Sequence, residues 1–323
     1  MTRYIARRVL VSVPVLFAIA LATFLLIQTL PGGPFSTVGR KSMPEPVRIL
    51  MERRYGLDRP LPEQFLRYMG NLLRGDLGPM LHTPGQTVND VVARTLPVST
   101  QLGLLSLAVG LAIGIPAGLL SAWKRNTLVD RSATFLAVLG ASIPEVVLAP
   151  ALILVLAVRL DWFPIAFWGA EGPYLLGFLP RPTVEFWRHA ALPALALGVG
   201  LSAGFARLLR ASLLEVLAED YTRTARAKGL SESRVLLGHA LKNAFIPVAT
   251  TLGPLLAGVL TGTFIIEQIF ALDGLGRQFV QSVGNREYFL LTSITLIYAL
   301  ILVAGNLVVD IAYVWLDPRI RYD

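Results

Sequence analysis

The 323-residue chain contains no cysteine and only three histidines, His82, His189 and His239, far apart in sequence. The first absence excludes disulfides, thiol catalysis and thiolate-held metals, and says little about redox compartment. The second leaves little basis for a histidine-centred metal site. Charge is scarce as well: 15% of residues are Asp, Glu, Lys or Arg against 54% hydrophobic, and mean hydropathy is +0.62. A soluble domain of this size needs more polar surface. No GxxxxGK[ST] sequence occurs, so the chain lacks a phosphate-cradling loop and is not expected to hydrolyse ATP by itself. A nucleophile–histidine–acid cluster is also missing, and with it any support for an enzyme.

What is present is a series of long apolar runs. They predict an all-α membrane protein with six transmembrane helices over about Val9–Leu30, Val98–Trp123, Ala133–Leu160, Ala190–Leu209, Phe245–Phe270 and Phe289–Leu316. Each reaches the ~20 residues that cross a hydrocarbon core of about 30 Å. Helices are required because lipid offers the backbone no hydrogen-bond partners. The first run follows Arg7 and Arg8. It exceeds the roughly 7–15 residues of a signal-peptide core and lacks a small-x-small cleavage site, so an uncleaved helix is expected.

Net charge is +8 and the isoelectric point is near 10.0. With the N-terminus inside, inner segments carry fifteen basic residues: Arg3, Arg7, Arg8, Lys124, Arg125, Arg131, Arg207, Arg210, Arg223, Arg226, Lys228, Arg234, Lys242, Arg319 and Arg321. The two short outer loops carry five: Arg159, Arg181, Arg188, Arg277 and Arg286. That bias places both termini in the cytoplasm and makes nucleic acid an unnecessary partner. Trp123, Trp162, Trp187 and Trp315 fall at span ends and Trp168 in an outer loop, as interfacial tryptophans do. Gly110, Gly114 and Gly118 line one face of the second span, and Gly200 and Gly204 one face of the fourth. Such stripes admit close helix approach, within the chain or against a second membrane subunit. Pro116, Pro144, Pro150 and Pro193 predict kinks inside spans.

The loop from about Pro31 to Pro97 is too long for a connector and reads as a small folded cap. One helix is expected over about Glu45–Tyr55, stopping at Gly56. A second begins near Leu61-Pro62-Glu63 and stops near Gly75, with Leu66, Met69, Leu72 and Leu73 as its apolar face.

On the other side lies "DYTRTARAKGLSESRVLLGHALKNAFIP", Asp220–Pro247, polar and basic between two apolar runs. It reads as helix–glycine–helix. Gly229 ends the first helix, and Ser231 caps the second with Glu232 in its first turn. Val235, Leu236, Ala240 and Leu241 form the second helix's apolar face, and Arg234, Lys242 and Asn243 its wet one. A rigid module of this kind transmits force, unlike a flexible loop. An amphipathic helix lying on anionic lipid is the competing reading.

"DYTRTARAKGL" with "HALKNAFIPV" resembles the coupling loop of ABC importer permeases, in particular the B-type dipeptide/oligopeptide branch. "RYIARRVLVSVPVLF", "PGGPF", "YGLDRPLPEQFLRYMGNLLRGDLG", "IIEQIFALDGLGRQFVQSVGNREY" and "DPRIRY" fit that branch in order, so the resemblance covers essentially the whole chain. It implies a type I ABC importer permease fold with a small helical extracytoplasmic cap between helices 1 and 2. It also implies this division: a tail and first helix at 1–30, the cap at 31–97, a five-helix transmembrane domain at 95–316 containing the coupling loop 211–244, and a tail at 317–323. The implied partners are a second, C-type permease, ABC ATPase subunits that bind ATP and Mg, an extracytoplasmic peptide-binding protein, and membrane lipid. No cofactor is expected in this chain.

The general permease motif is Glu-Ala-Ala, three residues, Gly, nine residues, then Ile-x-Leu-Pro. Aligned on Gly229, only Ala225, Gly229 and Leu241 match; Arg223, Thr224, His239 and Lys242 depart, as is typical of the peptide branch. The resemblance assigns ATPase coupling to Asp220, Arg223, Thr224, Ala225, Arg226, Gly229 and Leu241. Acids within spans are functional candidates. Glu145, after Pro144, is the candidate for the substrate path, with Glu267 and Asp310 behind it. Two alternatives stay open: the same machinery carrying nickel, glutathione or another small solute, and an ion-coupled secondary transporter. The latter predicts inverted repeats, of which the sequence shows no convincing sign.

Overall fold

A computed structural model describes residues 2–29, 33–35, 44–169, 179–260 and 263–316, with side chains throughout except at 2–4, 257, 260 and 309–316. Among the described residues all regular elements are helical, and Pro79 and Thr87 form an isolated β-bridge. Helix α1 (Thr2–Gln28) leads to the cap helices α2 (Glu45–Tyr55) and α3 (Leu61–Leu72), then to α4 (Val88–Trp123) and α5 (Leu128–Ser142). Helix α6 (Glu145–Leu152) runs on as a π-helical turn, Ile153–Arg159, before the long α7 (Val184–Val216). The polar insert forms α8 (Asp220–Ala227), α9 (Glu232–Arg234), a π-helical turn Val235–Ala240 and α10 (Leu241–Ala244). Helices α11 (Ile246–Leu260), α12 (Phe264–Ile269), α13 (Leu275–Asn285) and α14 (Tyr288–Leu316) complete the chain.

Four of these, α1, α4, α7 and α14, are individually long and apolar enough to span a bilayer. The count reaches six only if two bent pairs each serve as one span. One is α5 with α6, and there the expected single span Ala133–Leu160 is corrected. It breaks at Ile143–Pro144, and the two halves diverge by 100°. The cause is local. A proline forces its predecessor out of the helical region, and Ile143 sits at φ −86°, ψ 113°. Pro144 then opens α6 with Glu145 in its first turn. The expected Phe245–Phe270 helix is corrected as well: α11 ends at Leu260, and Phe264–Ile269 is a separate short helix.

The centre of the fold is the α4–α7 contact. A β-carbon on Gly114 would lie 2.5 Å from the Ser202 carbonyl oxygen, and one on Gly118 would lie 2.6 Å from that of Ala206. The two backbones therefore touch. Without a hydrophobic driving force between helices in lipid, such contact supplies the dispersion energy that holds them. Gly110, Gly114 and Gly118 are thus used within the chain. Gly200 and Gly204 meet no atom of it within 4 Å. Leu209 and Leu213 of α7 extend the contact into a buried cluster with Ala122, Leu236, Ala240 and Val248.

The cap helices begin and end as their sequences require. Gly56 adopts φ 68°, ψ 26° and closes α2, its N–H donating to the Arg53 carbonyl. The buried face of α3 differs from the aliphatic one expected. Phe65 and Tyr68 are buried, with Met69 and Leu72 packed beside them, whereas Leu66 and Leu73 are 69% and 85% exposed. The i, i+3, i+4, i+7 stripe runs through the aromatics. Phe65 packs edge-on against Phe17 and also meets Phe24 of α1. The Tyr68 hydroxyl shares a hydrogen bond with Ser293 of α14, and burial pushes it up to about 12.

A residue at Gly114 that carries a β-carbon must push α4 from α7, at a typical overpacking cost of about 1–3 kcal/mol. Gly114→Ala is expected to lower the melting temperature of the purified chain in detergent, while Gly204→Ala, with open space around it, leaves it unchanged. Equal melting of the two variants would contradict the contact.

Candidate functional site

The insert Asp220–Pro247 is an elbow rather than a loop, and its parts are braced to each other. Helix α8 starts three residues after α7 ends. Thr222, fully buried, donates its hydroxyl to the Glu219 and Leu217 carbonyls and ties the first turn of α8 to the end of α7. Gly229 sits at φ 78°. Its N–H and that of Leu230 donate to the Arg226 and Ala225 carbonyls, closing α8 in the left-handed turn that glycine tolerates.

Arg226 is the central brace. Its guanidinium donates to both carboxylate oxygens of Glu232, at 2.8 and 3.4 Å, and to the Leu217 carbonyl at 3.2 Å. One planar fork thus joins α7, α8 and α9. A second cross-link runs from Asn243 to the Tyr221 hydroxyl at 2.8 Å. Ser231 occupies the first capping position of α9 but makes no capping hydrogen bond; its hydroxyl lies 3.3 Å from that of Ser233. The expected cap is therefore replaced by the Arg226–Glu232 pair.

The expected apolar face is where the sequence placed it. Val235, Leu236 and Ala240 are buried, Leu241 half-buried, and they pack on the ends of α4, α7 and α11. Of the residues the resemblance singled out, Ala225 points inward with this face. Asp220, Arg223, Thr224 and Gly229 are exposed, and Arg223 pairs with Asp220 at 3.6 Å. The outer surface of α8 thus offers backbone turn, hydroxyl and charge to a neighbour, while its inner surface is fixed to the bundle.

One cluster escaped the sequence reading. At the elbow end, Asp130 in the first turn of α5 is 4% exposed. It accepts from Arg210 Nε and Nη2 of α7, each at 2.9 Å, from the Asn126 N–H, and from the Ser121 hydroxyl of α4. This clamp fastens α5 to α4 and α7 beside the elbow. In the sequence Arg210 stood out only as an inner-side cation, and Asp130 was not singled out at all.

The two intramembrane acids whose side chains are described stand in different surroundings. Glu145 lies half-buried at the α5–α6 break. Glu267 is fully buried and committed: it accepts from the Ser99 hydroxyl at 2.7 Å and the Arg277 N–H at 2.9 Å, while Ser99 Oγ takes the Leu275 N–H. It ties α4, α12 and the start of α13 together. The Asp310 side chain lies outside the described residues, as do the terminal "DPRIRY" and the Trp315 side chain. Trp168 is buried within the protein, and its ring N–H donates to Gln101 at 2.6 Å.

Residues 114–322 match the family described as the binding-protein-dependent transport system inner membrane component, and residues 1–99 match the N-terminal component of such systems. The chain is 40% identical over 321 residues to the dipeptide transport system permease protein DppB of Bacillus subtilis, covering 99% of this chain and 98% of that one. It is 38% and 37% identical to the oligopeptide transport system permease proteins OppB of Haemophilus influenzae and Escherichia coli, covering 100% of each pair. Among solved structures, the inward-facing MetNI methionine ABC transporter aligns with a TM-score of 0.52 and 18% identity, over 68% of this chain and 95% of that one. An amino acid ABC transporter aligns with 0.51 and 18%, over 69% and 93%. At those identities the likeness establishes the fold: a type I ABC importer permease.

Breaking the Asp130–Arg210 pair leaves a charge stranded at the elbow end. Asp130→Ala is expected to cost about 3 kcal/mol, read as a lower melting temperature, and Asp130→Ala with Arg210→Met is expected to recover part of that loss. A single variant as stable as the parent would show that the clamp carries no load.

Proposed function

Because the chain belongs to the binding-protein-dependent transport system inner membrane component family, we propose that it is one membrane half of an ATP-driven importer of dipeptides or oligopeptides. The peptide cargo rests on relatives named for peptide transport that match it along essentially its full length. None of the relatives named above is named for nickel or glutathione. A lone ion-coupled transporter is set aside by the family itself.

In this reading the chain is not an enzyme. ATP and Mg are held by partner ATPase subunits at the cytoplasmic side, where both termini also lie. A C-type permease completes the pathway, and an extracytoplasmic peptide-binding protein delivers cargo. The fifteen-to-five distribution of basic residues supports the orientation. The observation that carries the mechanism is the Arg226 brace. ATPase closure pushes on the exposed face of α8, at Asp220, Arg223 and Thr224. Thr222, Ala225 and Arg226 pass the displacement to α7, because the joint is tied on its inner side. Gly229 and Leu241 shape the elbow without being contact points. The push then reaches α4 through the glycine face and α5 through Asp130. Two arrangements of this body give inward-open and outward-open states.

Of the acids, Glu145 is the pathway candidate. It stands at the one place where a span turns by 100°, where a peptide amino group can meet a carboxylate. Glu267 is committed to its hydrogen bonds with Ser99 and the start of α13 and is given a structural role.

Two tests follow. Gly229→Pro demands φ near −65° where the chain needs 78°, and Arg226→Glu sets two carboxylates against each other. Each is expected to cut peptide uptake by the reconstituted complex at least about tenfold, roughly 1.4 kcal/mol in barrier terms, while membrane insertion and ATP hydrolysis persist. Parental uptake in either variant would refute the elbow as the transmitting element. Glu145→Gln is expected to raise the peptide concentration for half-maximal uptake; unchanged affinity and rate would remove Glu145 from the path.

A further inference from the structure

A cavity of about 240 Å³ opens at the cap end, on the flank of the bundle made by α1 and α14. Its floor is apolar, built from Phe24 and Ile27 of α1 and Phe289 of α14, and its mouth carries Arg54 of α2 and Arg67 and Asn71 of α3. It lies away from the α5–α6 break, because α1 packs against α14 and α3, whereas α6 packs against α7 and α12. The translocation reading does not use it.

Three observations identify what fits there. First, α3 does not rest on a membrane surface. Phe65 packs on Phe17, eleven residues before the end of α1, about 16 Å along that helix. The α1 residues that line the cavity, Phe24, Ile27 and Gln28, belong to the last turns of that helix, so the cavity itself stands at the headgroup end of the span. Second, positive charge at the mouth exceeds its compensation. Glu63 pairs with Arg59 and lies 3.7 Å from Arg67. Arg54 stacks toward the Tyr55 ring at 6.0 Å, with no carboxylate in ion-pair range among the described residues. Third, two further polar side chains of the wall are already engaged. The Gln64 amide donates to the Leu57 and Arg59 carbonyls, and the Tyr68 hydroxyl is bonded to Ser293. Arg54 and Asn71 are left to meet a ligand, and Arg67 only shares Glu63 with Arg59.

We propose that this cavity binds the headgroup of an anionic phospholipid, with its phosphate between Arg54 and Arg67 and its chains running over the exposed apolar flank of α1. A guanidinium pair suits a phosphate's oxygens. The volume is below the roughly 300–1,000 Å³ of small-molecule pockets, which suits a headgroup whose tails remain outside. Beside the cavity, Leu25 and Leu26 of α1 are 47% and 66% exposed and present the surface along which such tails lie. The bound lipid wedges the cap between α1 and α14.

The test is lipid retention by the intact importer in nanodiscs of equal phosphatidylglycerol and phosphatidylcholine, released into detergent and read by native mass spectrometry. The parent is expected to keep phosphatidylglycerol over phosphatidylcholine. Arg54→Gln with Arg67→Gln is expected to lower that retention about thirtyfold, as befits two lost cations at an anionic lipid. Asn71→Trp, which fills the mouth and keeps both charges, is expected to lower it too, while Arg74→Gln, an exposed cation not lining the cavity, does not. Addition of inorganic phosphate separates the two sources of the anion: lipid that stays bound supports the proposal, and lipid displaced at millimolar phosphate overturns it. Equal retention in all variants, or equal loss in Arg74→Gln, would also overturn it. So would protection of Arg54 by the peptide-binding protein instead of by lipid, since the mouth would then be a protein interface.

Discussion

Two helices meeting backbone to backbone, α4 on α7, set the frame on which every other element is hung. Inside a bilayer, helices gain nothing from excluding water, since lipid tails are as apolar as leucine. Association then depends on how closely the main chains approach, and a glycine at each point of contact permits the closest approach. With Gly114 and Gly118 against the Ser202 and Ala206 carbonyls, α4 and α7 form a spine that runs from the cap end to the elbow. The elbow continues directly from α7, α5 is clamped to the spine by Asp130, and α13 is stapled to it through Ser99.

The polar ties are placed with a consistent logic. Three buried carboxylates hold the structure, and each collects donors from a helix or loop remote in sequence. Glu267 joins α12 to α4 and to the first turn of α13. Glu287, just ahead of α14, takes the Leu81 and His82 N–H groups and the His82 ring at 2.8, 2.8 and 2.9 Å, fixing the cap loop to the bundle. Asp130 does the same at the elbow end. All three sit near the ends of helices, where free N–H groups exist. A buried acid with its acceptors filled specifies one arrangement, and one with a partner removed is costly. The bundle is thus packed by small residues along its length and pinned by carboxylates at its ends.

Much of this was legible in the sequence, and what was not has identifiable causes. Helix α2, its stop at Gly56 and the turn at Gly229 follow from local conformational rules and appear where expected. The buried face of the elbow followed from its periodicity. A kink at Pro144 was legible but its 100° size was not, because a hydropathy window averages across Ile143–Pro144 and gives no angle. The face of α3 was misplaced because its aliphatics are visible as a stripe, whereas its packing is decided by two aromatics one step round the helix. The Asp130–Arg210 clamp joins residues eighty apart, a distance no local pattern reports.

The distribution of breaks bears on how such a molecule moves. Helices α4 and α7 are unbroken despite internal prolines, and the elbow is braced from α7 through α9 by one guanidinium. These parts move as one body, because bending any of them would open a packed backbone contact or a charge-assisted hydrogen bond. The other two spans are interrupted. The α5–α6 pair turns by 100° at a proline, and α11 bends by 43° from the helix preceding it. Their breaks are where backbone dihedrals can change most readily, and each of these spans also contains a π-helical turn, Ile153–Arg159 in one and Val235–Ala240 in the other. In the proposed mechanism a push at α8 displaces the spine rigidly, and the interrupted spans absorb the motion. Glu145 stands at one of those interruptions. The residue that we place on the substrate path is thus the acid whose surroundings the stroke would change most.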